Sequence, residues 1–246
     1  MTARSEGVDV AAASRIFAHD ERTVQRWLAR GAHHAERWHA RLLRNGVCRH
    51  LQWDELVTKL RGVKERVGVW VALDAHTKLI LVIRCGGRTR VDAQWFVHEV
   101  WSQLAPGAPP VFTTAGLQQS YDALTAPFGH WVSEAGKRWP AWPVDPRLWY
   151  GQLHKIKSGR VNLTLREPIA SLSRRTWSLA QNEHRLWMPI EWGRAHYHFC
   201  RYHEALRVLA TRSGHRYRSR TLAMAAGLAR RRWRVSDLLL LPLPPA

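Results

Sequence analysis

The stretch Leu51-Gln52-Trp53-Asp54-Glu55-Leu56-Val57 sets an acidic pair between apolar residues and has the bias of a strand. Two further runs rich in β-branched and aliphatic residues follow, Val67 to Leu73 and Leu79 to Ile83. The polar turn Asp74-Ala75-His76-Thr77-Lys78 joins them, so the pair reads as an antiparallel hairpin. From Val91 to Leu104 the spacing of Trp95, Val97, Val100 and Trp101 turns helical. A loop, Pro106-Gly107-Ala108-Pro109-Pro110, leads into a short strand, Val111 to Thr113, and then a helix from Leu117 to about Ala126. The order strand, strand, strand, helix, strand, helix is that of an α/β protein with a ribonuclease-H-like mixed sheet, in which three antiparallel strands precede helix-connected parallel ones.

Upstream, Val10, Ala13, Ile16 and Phe17 fall at helical spacing until His19-Asp20 interrupts them. Asp20 is placed to cap a second helix, Glu21 to Arg30, with Val24, Trp27 and Leu28 as its buried stripe and Gly31 as its stop. The outward face then carries Arg22, Thr23, Gln25, Arg26 and Arg30. Two readings fit: a helix-turn-helix that reads the major groove, and an ordinary helical hairpin with a solvated basic face. Residues 33 to 47 continue as helix or linker. Downstream, Glu134 to Pro146 reads as irregular, and residues 160 to 211 as mainly helical with breaks at Pro168 and Pro189. The last 46 residues hold ten arginines against Glu204 and Asp237, which predicts a basic helical region, solvated and suited to a DNA backbone. The resulting division is residues 1–47, a DNA-binding region; 48–211, a shortened catalytic-type domain; and 212–246, a basic tail.

Charge narrows the partners. Thirty-eight Lys and Arg against nineteen Asp and Glu give a net +19, which attracts polyanions, nucleic acid foremost. A membrane is not indicated: the longest apolar stretch, Leu238 to Ala246, is proline-broken and too short to span one. Glu6 and Asp9 stand where a signal peptide needs an apolar run, so the expected location is cytoplasmic, at the nucleoid. Three widely spaced cysteines make neither a disulfide framework nor a zinc ribbon. Fourteen tryptophans are read chiefly as core, with base stacking as the other use. His196, Cys200 and His203 would share a helix face at i, i+4 and i+7, near His198. That permits a metal site, although the spacing matches no established finger. No P-loop, GxGxxG or Gly-x-Ser-x-Gly elbow occurs.

Enzymes with a ribonuclease-H-like core cut phosphodiesters with two divalent metals about 3.5–4 Å apart, held by convergent carboxylates. Asp54 is placed to be the first acid; the other reading is a strand carboxylate paired with a nearby Lys or Arg. The second acid belongs just after Val111-Phe112-Thr113-Thr114, where this chain has Ala115, and no carboxylate follows until Asp122.

Several blocks resemble the insertion-sequence-one family of bacterial DDE transposases. They are Leu51–Leu56, Val69-Trp70-Val71-Ala72-Leu73-Asp74, Phe112-Thr113-Thr114-Ala115-Gly116-Leu117 and Arg160-Val161-Asn162-Leu163-Thr164-Leu165-Arg166. Ser173-Arg174-Arg175-Thr176, Tyr197-His198-Phe199, His203-Glu204-Ala205-Leu206-Arg207 and Arg220-Thr221-Leu222-Ala223-Met224-Ala225-Ala226-Gly227 extend the likeness over nearly the whole chain. The resemblance implies a Mg²⁺-dependent enzyme that binds the terminal repeats of its element as double-stranded DNA, cleaves them and transfers strands. Asp54 matches the family's first aspartate and its metal ligand. The second aspartate falls at Ala115 and the glutamate at Gly159, so two of the three acids are missing. Only seven residues separate Tyr150-Gly151-Gln152 from Arg160, which looks like an internal deletion. Arg160, Asn162, Thr164, Arg166, Arg174 and Arg175 are then expected to hold DNA near a site that has lost its metals. Glu55, Asp74, Asp122 and Glu167 are the acids available as replacements, Glu55 poorly, since it faces the other side of its strand. The expectation is a catalytically impaired transposase relative, alone, as a homo-oligomer, or in mixed oligomers with an intact transposase. The alternatives are a non-enzymatic DNA-binding repressor and a decayed fragment.

Overall fold

The computed structural model describes residues 7–107, 109–114, 118–130, 132–133, 136, 138–152, 169–172, 178–210 and 216–243. Two helices open the chain, α1 (Val10–Phe17) and α2 (Glu21–Leu42). The sheet strands β1 (His50–Lys59), β2 (Arg66–Asp74) and β3 (Ile80–Gly86) follow, then α3 (Arg90–Gln103), β4 (Val111–Thr114), α4 (Gln118–Thr125) and β5 (Tyr150–Gln152). The long helix α5 (Glu183–Phe199) leads to a small ribbon of β6 (Val208–Leu209) and β7 (Tyr217–Arg218), and to α6 (Leu222–Ala225) and α7 (Val235–Leu240). The result is a mixed α/β architecture whose main sheet runs β3-β2-β1-β4-β5. β1 and β2, and β2 and β3, are antiparallel; β4 runs parallel to both β1 and β5.

Period-two alternation sorts β1 between two faces. Leu51 and Trp53 join Trp70, Ala72, Phe96, Val100 and Phe112 in one core, covered by α3 and α4. Leu56 joins Val69, Val71, Leu73, Leu186 and Ile190 in the other, covered by α5 and the turn Ala170–Leu172. A third cluster draws Leu28, Ala32 and Ala35 of α2, Met188 and Trp192 of α5, and Ala223 and Leu238 of the C-terminal segment into one body. All three segments of the sequence-based division thus contribute to a common core.

Four expectations change. Gly31 does not end the second helix, which runs 22 residues to Leu42. Gly31 is buried among Leu28, Ala32 and Ala35, and close packing on α5 outweighs the ~1 kcal/mol that a mid-helix glycine costs. The chain turns out of the helix at Asn45, whose φ is 56°. Trp27 is 42% exposed and rests edge-on to His19 at 4.9 Å instead of lying in the buried stripe. Pro189 does not break its helix: it lies inside α5, where burial of Leu186, Met188, Ile190 and Trp192 offsets a proline penalty of ~3 kcal/mol. Pro168 lies outside the described residues.

The fourth concerns the basic tail. Its described part, 216–243, is packed against the body: Leu222, Ala223 and Leu238 are buried, Trp233 stacks on Phe199 at 4.4 Å, and Arg232 donates to the carbonyl of Cys200 at 2.7 Å. The arginine count hid apolar residues at helical spacing. The tryptophans divide as well. Trp38, Trp53, Trp70 and Trp192 are core, whereas Trp27, Trp95, Trp101, Trp139, Trp142 and Trp149 are exposed. No helix among the described residues is long and apolar enough to cross a membrane.

Candidate functional site

Asp54 lies in the middle of β1 and is only 7% exposed. It pairs in register with Val71 on β2, and its neighbour Trp53 pairs with Thr114, the last residue of β4. Alternation places His50, Gln52 and Asp54 on one face of β1, the face of Leu56. Thr113 of β4 lies opposite Gln52 on that face, within hydrogen-bond distance of His50 Nε2 at 3.0 Å. The backbone N–H of Glu55 donates to Asp54 Oδ1 at 2.9 Å. Further along, Thr58 donates to the carbonyl of Ser171 at 3.0 Å, fixing the Ile169–Leu172 turn over the same face. A polar strip therefore runs along the sheet centre where β1 meets β4. His50, Gln52 and Thr113 were not singled out in the sequence, although the alternation His50-x-Gln52-x-Asp54 carries the signal.

Of the acids considered as replacements, the three that are described, Glu55, Asp74 and Asp122, are committed elsewhere. Glu55 points to the opposite face and is held bidentately by Arg88, at 2.6 and 3.1 Å. Asp74, at the far end of β2, accepts from the Thr77 backbone and hydroxyl at 2.8 and 2.6 Å and from Cys48 at 3.3 Å. Burial works to raise its carboxyl, but these hydrogen bonds prevail and hold it below the usual range. Asp122 is bonded by Arg90 at 3.0 Å. Two Mg²⁺ ions need several converging oxygens, and among the described residues no group of three or more His, Cys, Asp or Glu is arranged to hold a metal. The described donors do not fit a two-metal site. Ala115, Gly159, Arg160, Asn162, Thr164, Arg166, Glu167, Arg174 and Arg175 lie outside the described residues.

On α2, Asp20 caps the N-terminus by accepting from the backbone of Arg22 and Thr23 at 2.9 and 3.2 Å. Arg22, Arg26 and Arg30 are exposed; Thr23 and Gln25 are half-buried. Arg22, Arg26 and Arg30 lie on the side away from Leu28 and Ala32, which share a cluster with α5, whereas Gln25 lies beside Ala32 on the helix circumference.

The postulated histidine and cysteine face does not form. α5 ends at Phe199 with Cys200 as its C-cap, so His203 lies beyond the helix. His198 is wholly buried, and its Nε2 accepts the Ile80 backbone N–H at 3.0 Å, which leaves the proton on Nδ1. Beside it lies a polar network that the sequence did not reveal. His39 of α2 is hydrogen-bonded through Nδ1 to Glu191, Arg194 pairs with Glu191 at 3.2 Å, and Arg194 donates to the carbonyls of Ile80 and Leu81 at 2.8 and 2.6 Å. Burial raises the Glu191 carboxyl, but Arg194 and His39 overcome it and bring it to about 2. Burial and Arg194 lower His39, against the pull of Glu191, so the pair is a neutral imidazole donating to a carboxylate. This network ties α2 and α5 to the outer edge of β3 and satisfies carbonyls that an edge strand would leave open. It also borders a cleft of about 570 Å³ lined by Glu36, Glu99, Glu183 and Trp187, among others.

A comparison with models of known protein families finds no match, and neither does a search of characterised proteins.

Proposed function

We propose that this chain is a DNA-binding relative of the insertion-sequence transposases, with a ribonuclease-H-like core whose cutting chemistry is impaired. The observation that carries the reading is the strand order β3-β2-β1-β4-β5 with a buried aspartate at mid-β1, beside the end of β4. Proteins of that fold class place their first and second metal-binding acids at these two positions. The mixed directions of the strands, the α3 crossover between β3 and β4, and the blocks that resemble the transposase family support the same conclusion. Asp54 retains the first acid; Ala115 and Gly159 offer no ligand at the other two.

The partner is double-stranded DNA, element terminal repeats in the first instance, at the nucleoid. Support comes from the net +19 and from the exposed Arg22, Arg26 and Arg30 on a capped helix, with a short helix before it in helix-turn-helix fashion. The turn Ile169–Leu172, which lies in sequence between Arg166 and Arg174, is fixed on the Asp54 face. Binding without cutting suits a repressor of related elements or a subunit in mixed oligomers. The test is a labelled terminal-repeat duplex incubated with Mg²⁺ and the chain, beside a variant carrying Ala115→Asp and Gly159→Glu. Binding by both, with cleavage confined to the restored variant, is the expected result; binding by neither sinks the proposal.

A further inference from the structure

The unexpected length of α2 exposes a surface that a short recognition helix would not have. At 100° per residue, Arg22, Arg26, Arg30, His33, Arg37 and Arg41 fall within about one quarter of the helix circumference, along a line of about 28 Å. The other positions in that quarter are Thr23 and Ala40, so the stripe contains no acid. All five arginines are exposed. Arg22, Arg26, Arg30 and Arg37 form no ion pair with a carboxylate among the described residues. Of the acids of the helix, Glu21 lies on the opposite side in the first turn, and Glu36 flanks the stripe and is drawn at 3.6 Å to His33, whose ring also packs 5.0 Å from Trp187 of α5. On the opposite side Val24, Leu28, Gly31, Ala32, Ala35, Trp38 and His39 are buried over nearly the whole length.

We propose that α2 is a phosphate rail: it lies lengthwise on duplex DNA and engages the backbone along its full stripe, Arg37 and Arg41 included. This rests on the DNA-binding reading above and alters its geometry. A helix that enters the major groove offers its N-terminal end to base edges in a channel about 12 Å wide. α2 is embedded in the body from Val24 to His39 and offers one long face instead. Beyond Arg30 that face holds no Asn or Gln suited to bases, only Arg, His and Ala. Arginines four residues apart rise about 6 Å, close to two phosphate steps of one strand. The occupant is therefore a regular polyanion, bound through charge and not through sequence.

The experiment measures anisotropy of labelled 30-base-pair duplexes of two unrelated sequences, with the full chain, across a salt series. Arg37→Gln/Arg41→Gln is compared with Arg61→Gln/Arg66→Gln, an equal charge loss at the exposed β1–β2 turn, after circular dichroism has matched both folds to the parent. The rail predicts that the slope of log affinity against log salt falls by about 1.8 in the first variant, equally for both duplexes, and by clearly less in the second. A parent-like slope in Arg37→Gln/Arg41→Gln, or an equal fall in both variants, overturns the rail while leaving DNA binding intact. No duplex binding by the parent overturns the function reading as well.

Discussion

Trp53 pairs with Thr114 across the parallel β1–β4 ladder, the last pair of that ladder, and the next residue of β1 is Asp54. Trp53 belongs to the core under α3 and α4, so alternation turns Asp54 to the other face, the one that carries the His50–Thr113 contact and the Ile169–Leu172 turn. One tryptophan thereby fixes both the register and the orientation of the candidate acid.

That core gives the first prediction. Phe96 is fully buried, with ring centroids 4.9 Å from Trp53 and 5.9 Å from Trp70, so Phe96→Ala should cost about 3–5 kcal/mol in urea unfolding. Its helix neighbour Trp95 is 54% exposed, and Trp95→Ala should stay within about 0.5 kcal/mol. Similar losses for the two would contradict the α3 orientation.

Glu191 and Arg194 yield a second. Glu191→Ala leaves the Arg194 guanidinium buried without its carboxylate and should cost about 3–5 kcal/mol. A double-mutant cycle with Arg194→Met should show that the two losses are far from additive. Additive losses would mean that the pair is not coupled.

Acid should weaken the same junction. Burial, the first cause for both, lowers His39 and His198, His198 well below its ordinary value; Arg194 adds to both, and His39 adds to His198. A histidine lowered on folding takes up its proton more readily in the unfolded chain. Its contribution is therefore whole above pH 6.5 and is lost as pH falls from 6.5 toward the folded value. The thermal midpoint should drop over that range, and His198→Gln, which keeps an acceptor for the Ile80 amide, should flatten the dependence. Glu191 acts lower: its stabilisation holds above pH 4.5 and fades as pH falls toward about 2. A midpoint that is constant from pH 7 to 5 would refute the histidine assignment.

The cysteines offer a solvent-side check. Burial pushes the thiols of Cys48, Cys85 and Cys200 up to about 12, with Asp74 adding to Cys48. At pH 8 a thiol reagent should modify the native chain far more slowly than the urea-unfolded chain. Rapid reaction of all three in the native state would contradict the packing around them.

Much of the sheet was legible because its strands carry strong local signals: the hairpin turn at Asp74–Lys78 and the β-branched runs around it. Asp54 was legible because a charge in an apolar strand must be accommodated. What escaped was set by tertiary contact. Gly31 reads as a helix stop until its neighbours Leu28, Ala32 and Ala35 pack on α5, Pro189 as a break until its helix is buried, and the arginine-rich tail as solvated until Ala223 and Leu238 find the α2–α5 cluster. The His39–Glu191–Arg194 network spans 152 residues from His39 to Glu191, and no local pattern joins such positions.

Binding without cutting is decided on a single gel: a labelled terminal-repeat duplex, bound by the chain and exposed to Mg²⁺, with Asp54→Ala run alongside. A DNA binder with an incomplete site gives a retarded complex with both proteins and leaves the strands intact in both. Strand cleavage by the unmodified chain, abolished in Asp54→Ala, would contradict it, because another carboxylate would then have to complete the site.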